Sequence, residues 1–169
     1  MSEPACPELG ALPPLRHLTY RSRLVFPAKR ELDPHAFYQT RKGLVVTESF
    51  KELVLSRAES ADVAAATGRV YDLEDPALIG GVVADLRSHG SFTCQGPTRL
   101  CAYLAHLIDL QREGQEGTLS TRYMGNRLLL EDCLVGVGYH ANAWGIYAQT
   151  WQGVLELPCV TDIRVLAFD

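Results

Sequence analysis

Between His17 and Phe26 apolar and polar side chains alternate. Leu18, Tyr20, Ser22, Leu24 and Phe26 fall on one side, and Thr19, Arg21, Arg23 and Val25 on the other. A period of two with one polar face predicts a half-buried strand, which Pro27 ends. Gly43 to Thr47 reads as a second strand and Arg69 to Leu73 as a third. Asn126–Glu131, Cys133–Tyr139, Trp144–Trp151, Val154–Leu157 and Thr161–Phe168 continue as a meander, with turns at His140–Ala143 and Gln152-Gly153.

Helical spacing is clearest from Pro97 to Arg112. Leu100, Cys101, Leu104, Leu107, Ile108 and Gln111 recur at i, i+3, i+4 and i+7, with Pro97 in the first turn and Gly114 beyond the end. Asp33 followed by Pro34 predicts an N-cap and a single helical turn through Tyr38. Ser49 and Glu52 have capping-box spacing, so Phe50–Arg57 is a short helix; the apolar run Leu53–Leu55 equally suits a strand. Asp75-Pro76 opens another candidate helix, to about Ser88, although Gly80-Gly81 weakens its middle. Residues 58–67 read as a loop. The fold class expected is α+β: an antiparallel sheet of about five strands packed against one long amphipathic helix plus one or two short ones.

With 169 residues the chain suits one domain, 15–169, behind a Pro-rich tail over 1–14 that holds Pro4, Pro7, Pro13 and Pro14. Ordinary apolar and charged fractions, 47% and 21%, argue against wholesale disorder. No apolar run reaches the roughly 20 residues that span a bilayer, and the first residues lack a signal-peptide pattern, so a cytoplasmic location with no membrane partner is expected. Charge divides unevenly. Residues 1–57 hold nine basic and six acidic residues, a balance of +3; residues 58–169 hold seven and fourteen, a balance of −7.

The candidate chemistry is sparse. Cys6, Cys94, Cys101, Cys133 and Cys159 are odd in number and include no C-x-x-C pair, so they are read as free thiols. A zinc site from Cys94, Cys101, Cys133 and a histidine lacks paired spacing, and neither metal nor cofactor is expected. Cys133 with His140 and Asp132 would make a thiol enzyme, but seven residues along a strand separate thiol and imidazole by about 23 Å. Cys101 and His106 fall on different helix faces, and His35 reads as a turn residue. Gly80-Gly81 and Gly136-Val137-Gly138 lack the lysine and context of a phosphate cradle; Gly136 and Gly138 read as relief of crowding in a strand or as room for another element. No residue is assigned a catalytic role.

Two surfaces remain. Arg16, Arg21, Arg23, Lys29, Arg30, Arg41 and Lys42 alternate with Tyr20, Phe26, Phe37 and Tyr38, a composition that can track and stack nucleic acid. Asp72, Glu74, Asp75, Asp85, Glu113, Glu116, Glu131 and Asp132 could present an acidic surface to a basic partner.

The stretch Asp33-Pro34-His35-Ala36-Phe37-Tyr38-Gln39-Thr40-Arg41-Lys42-Gly43-Leu44-Val45-Val46, with Gln115–Leu119, Tyr123 and Cys133–Val137, resembles uncharacterised small proteins of proteobacterial mobile elements and phage islands. The likeness spans about residues 20–151 and carries no catalytic motif. It implies an accessory-genome setting in which small proteins block host defence complexes, CRISPR effectors among them. The expectation is therefore a non-enzymatic protein-binding module, an inhibitor of such a complex, using Arg21, Arg23, Arg41, Lys42, Glu131, Asp132, Tyr139, Trp144 and Trp151. The alternatives are a small Cys/His enzyme and a nucleic-acid binder built on the basic first strand; self-association is also open.

Overall fold

The computed structural model of the chain describes residues 15–73, 76–88, 96–122, 125–150, 158–159 and 163–168. In chain order its elements are β1 (Leu18–Phe26), β2 (Lys29–Leu32), α1 (Pro34–Thr40), β3 (Leu44–Val46), α2 (Glu48–Leu53), a 3-10 turn (Leu55–Arg57), β4 (Ala61–Val63), β5 (Ala66–Leu73), β6 (Ala77–Leu78), α3 (Ile79–Ser88), α4 (Pro97–Leu110), β7 (Asn126–Leu129), β8 (Cys133–His140), β9 (Ala143–Thr150), β10 (Pro158–Cys159) and β11 (Arg164–Phe168). Seven strands form one sheet in the order β1-β5-β11-β7-β8-β9-β3, and β10-β6 and β2-β4 form two small ribbons. β11 runs parallel to β7, and β3 parallel to β9; the other neighbours in the large sheet are antiparallel.

The expected sheet of about five antiparallel strands behind one long helix is not what forms. Among the described residues the sheet has seven strands and is mixed, and four helices of at most 14 residues share the covering of its two faces. The reason is non-local. β11 does not extend the meander but inserts between β5 and β7, and β3 crosses the chain to close on β9. Part of the expected loop over 58–67 pairs as well, as β4 and the start of β5. There Gly68 permits a close approach: a Cβ would sit 2.5 Å from the Ala167 carbonyl oxygen of β11.

α1, α2 and α4 lie on one face over the larger core, which includes Phe50, Leu100, Leu104, Ile108, Val135 and Trp144. α3 lies on the other face with Leu18, Tyr71, Leu129, Leu134 and Val165. The single apolar face expected of β1 is divided between them. The register slips between Tyr20 and Ser22, so Arg21 forms a bulge. Leu18 and Tyr20 then point to α3, whereas Leu24 and Phe26 point to α4.

Local signals fare better. Asp33 caps α1, its carboxylate accepting the Ala36 N–H at 3.2 Å. Residues 48–53 are helical, as one of the two readings held, but the cap is Thr47, whose hydroxyl accepts the Phe50 N–H. The anticipated start of α3 at Asp75-Pro76 is displaced to Ile79 by the short β6. Gly81 lies against the His17 ring, where the incoming chain passes. Residues 1–14, Trp151 and the strand expected at 154–157 lie outside the described residues.

Candidate binding surface

Cys133 begins β8 and is buried, with 1% of its surface exposed. Burial, reinforced by the Asp132 carboxylate, pushes its thiol up to about 11. A nucleophilic cysteine needs the reverse, a thiolate stabilised near neutral pH. His140 ends the same strand seven residues along, so the two meet nowhere. Asp132 instead accepts a two-pronged contact from Arg57, at 2.6 and 3.1 Å, and that hydrogen bonding holds its carboxyl below the usual range. The Cys101 carbonyl accepts a 2.7 Å hydrogen bond from the buried Tyr38 hydroxyl, tying α1 to α4. Burial lowers the imidazole pKa of His106, and nearby Lys29 adds to the effect. His35 lies beside the Ala58 carbonyl at 3.2 Å. Among the described residues no group of three His, Cys, Asp or Glu side chains comes together in a way that could hold a metal. No described helix is long and apolar enough to cross a membrane.

The basic residues that stand together in the sequence separate in space. Arg21 and Arg23 belong to β1, one edge of the sheet; Arg41 and Lys42 precede β3, the other edge. Six strand spacings put those edges about 29 Å apart. Arg21 pairs with Asp72 at 3.0 Å, and Arg41 pairs with Asp109 while lying over the Phe37 ring. The interleaved aromatics are turned inward: Phe26 and Tyr38 are buried, and Tyr20 packs edge-on against Tyr71. The acidic set disperses in the same way. Asp85 is buried and accepts the backbone N–H groups of Arg16, His17 and Leu18, holding the entry to β1 on α3. Glu131 and Asp132 are exposed in the β7–β8 turn.

Trp144 is fully buried, and its indole N–H donates to the Gln111 carbonyl at 2.9 Å. Tyr139 packs on Trp144, covers Gly114 and donates to the Glu113 carbonyl. These rings hold the chain that leaves α4. Two buried amides complete the clamp by acting as substitute peptide groups. Gln111 accepts the Leu119 N–H and donates to the Gln115 and Leu119 carbonyls. Asn126 accepts the Ser120 N–H and donates to the Ser120 and Val137 carbonyls.

The face opposite α4 is covered unequally. α3 packs over β1, β5, β11, β7 and the start of β8, and no described helix lies over the β8–β9–β3 end. There Val45, Gly145 and Gly138 stand in register across three strands. Val45 is 59% exposed, and a hollow of about 310 Å³ opens above the row. Val45, Thr47, Ala143, Ile146 and Tyr147 line it, and His140 and Ala141 form one rim. Ala141 has φ +49° and Asn142 φ +62°, the two left-handed residues of a primed hairpin turn.

Three glycines of this hairpin differ in what they do. At Gly136 a Cβ would lie 2.0 Å from the Tyr147 ring, which rests on that backbone with the Arg127 guanidinium over it. Gly136 therefore relieves crowding, as its position in a strand suggests. At Gly145 a Cβ would meet nothing nearer than the Gly138 carbonyl oxygen at 3.8 Å, and φ there is not left-handed. Neither backbone geometry nor packing against the described residues accounts for Gly145, which borders the hollow with Gly138 and Val45. Sequence reasoning missed Val45, Thr47 and Gly145. The spacing of glycines at 136, 138 and 145 is the signal present in the chain, and it gains meaning only once the register sets 138 beside 145.

Compared with known protein families, curated proteins and solved structures, the chain matches none of them.

Proposed function

We propose that this is a non-enzymatic protein-binding module, which seats an apolar side chain of its partner in the hollow over Gly145. The supporting observation is that glycine. In a half-buried strand it weakens the fold relative to a β-branched residue, and no described neighbour asks for it. A missing side chain in mid-strand is typical of a place where another body approaches the backbone. The hollow, about 310 Å³ and mostly apolar, falls at the small end of ligand-site volumes and suits the buried anchor residue of an interface. Among the described residues, the burial of Cys133 and the dispersal of the titratable groups favour binding over chemistry. The likeness to mobile-element proteins would make the partner a component of a host defence complex.

A photo-crosslinking residue in place of Val45 tests this in bacterial extracts. One discrete heavier species is expected, absent when Gly145→Leu fills the hollow and absent when the crosslinker replaces Glu52, which is exposed on α2. Equal labelling from both positions, or a species indifferent to Gly145→Leu, overturns the proposal.

A further inference from the structure

The β1 edge lies at the far side of the sheet from that hollow. We propose that this edge receives an acidic, extended segment of another protein, which joins the sheet as an additional strand. β1 is nine residues long, and among the described strands only β5 pairs with it. An edge of that length leaves a row of main-chain donors and acceptors unmatched on its outer side. Its start is fixed in place, because Asp85 holds the N–H groups of Arg16, His17 and Leu18.

The charge of the edge specifies what it attracts. Residues 15–30 contain Arg16, Arg21, Arg23, Lys29 and Arg30 and no acidic residue, in a chain whose net charge is −4. Arg16, Arg23 and Arg30 are exposed and form no ion pair among the described residues. Arg23 stands directly across from Arg69 on β5, so basic side chains continue from the edge strand onto its neighbour. A carboxylate on a strand added beside β1 would lie next to the exposed Arg23. Val25, 67% exposed on the same side of β1 as Arg23, gives an alternate apolar contact. Main-chain hydrogen bonds with alternating side-chain contacts are how added strands are recognised. Nucleic acid fits less well. It needs exposed rings for its bases, whereas Tyr20 packs on Tyr71 and Phe26 stacks on Tyr103 in the core.

The probe is a fluorescent peptide of about ten residues alternating Glu and Val, followed by anisotropy. Two further versions carry backbone N-methyl groups on alternate residues, one version blocking each edge. A thymidine oligonucleotide of similar length is the competing ligand. The unmodified peptide is expected to bind saturably, and one N-methylated version to lose binding while the other keeps it. Arg23→Glu should weaken binding about tenfold, and Lys42→Glu, at the opposite sheet edge, should leave it unchanged. Arg23→Glu faces Arg69, so folding is retained, which thermal melting verifies. No binding of the peptide overturns the proposal. So does binding indifferent to N-methylation of either edge, which means charge attraction alone, and so does tighter binding of the oligonucleotide.

Discussion

Replacing Gly145 with Val should make the protein more stable while removing its docking hollow. The added Cβ meets its nearest neighbour, the Gly138 carbonyl oxygen, at 3.8 Å, an ordinary contact. No left-handed φ has to be surrendered. Restricting the unfolded chain contributes about 0.4–1 kcal/mol. The preference of a pleated, half-covered position for a β-branched residue acts in the same direction, and the strand scale spans only about 1 kcal/mol. A net gain of about 1 kcal/mol is expected, or a melting temperature higher by about 2–4 °C for a chain of this size. Two other glycines set the sign by contrast. Gly68→Val drives a Cβ to 2.5 Å from the backbone oxygen of Ala167, which cannot swing aside, and should cost about 1–3 kcal/mol. Gly136→Val meets the far end of the Tyr147 ring at 2.0 Å; that ring can turn away, giving up its Arg127 contact, for about 1 kcal/mol. Urea denaturation of the three variants at constant m-value measures the order directly. Destabilisation by Gly145→Val comparable to that of Gly68→Val would show that the fold itself requires the glycine, and the reasoning that reserves the hollow for a partner would fail.

Asn126→Leu removes three hydrogen bonds at a fully buried site and strands Ser120 and Val137 main-chain groups; a loss of about 3 kcal/mol is expected in the same urea assay. Cys133, with its thiol near 11, should resist iodoacetamide at neutral pH and react only above about pH 10 or on unfolding, as mass spectrometry of the labelled peptide will show. Folding lowers the Asp132 carboxyl, so its contribution to stability is present above the unfolded carboxylate pKa and is lost as pH falls through the lower folded value. Asp132→Asn should flatten that acid limb by less than about 1 kcal/mol, because Arg57 and Asp132 are 42% and 59% exposed. Ala141→Asn should raise the melting temperature slightly, by placing a residue that tolerates the left-handed conformation at φ +49°.

The features legible in the chain are those fixed by neighbours a few residues apart. Asp33-Pro34 announced α1, the stripe from Leu100 to Ile108 announced α4, and the alternation through Cys133–Tyr139 and Trp144–Thr150 announced the β8–β9 hairpin, because caps and periodicity act over one or two turns. Tertiary structure alone decided the rest. The bulge at Arg21 reversed the faces of β1, since a one-residue slip in pairing moves every later side chain across the sheet. Insertion of β11 between β5 and β7 placed Arg164 beside Asp72, remote in sequence, and the sheet order sent Arg21 and Arg41 to opposite edges. Trp144 and Tyr139, which as bare sequence suggest a sticky surface, were drawn into holding the chain after α4. Gly145 acquired a role only when strand register set it beside Gly138 and Val45, for long-range pairing, not local preference, determines which positions become neighbours and which remain uncovered.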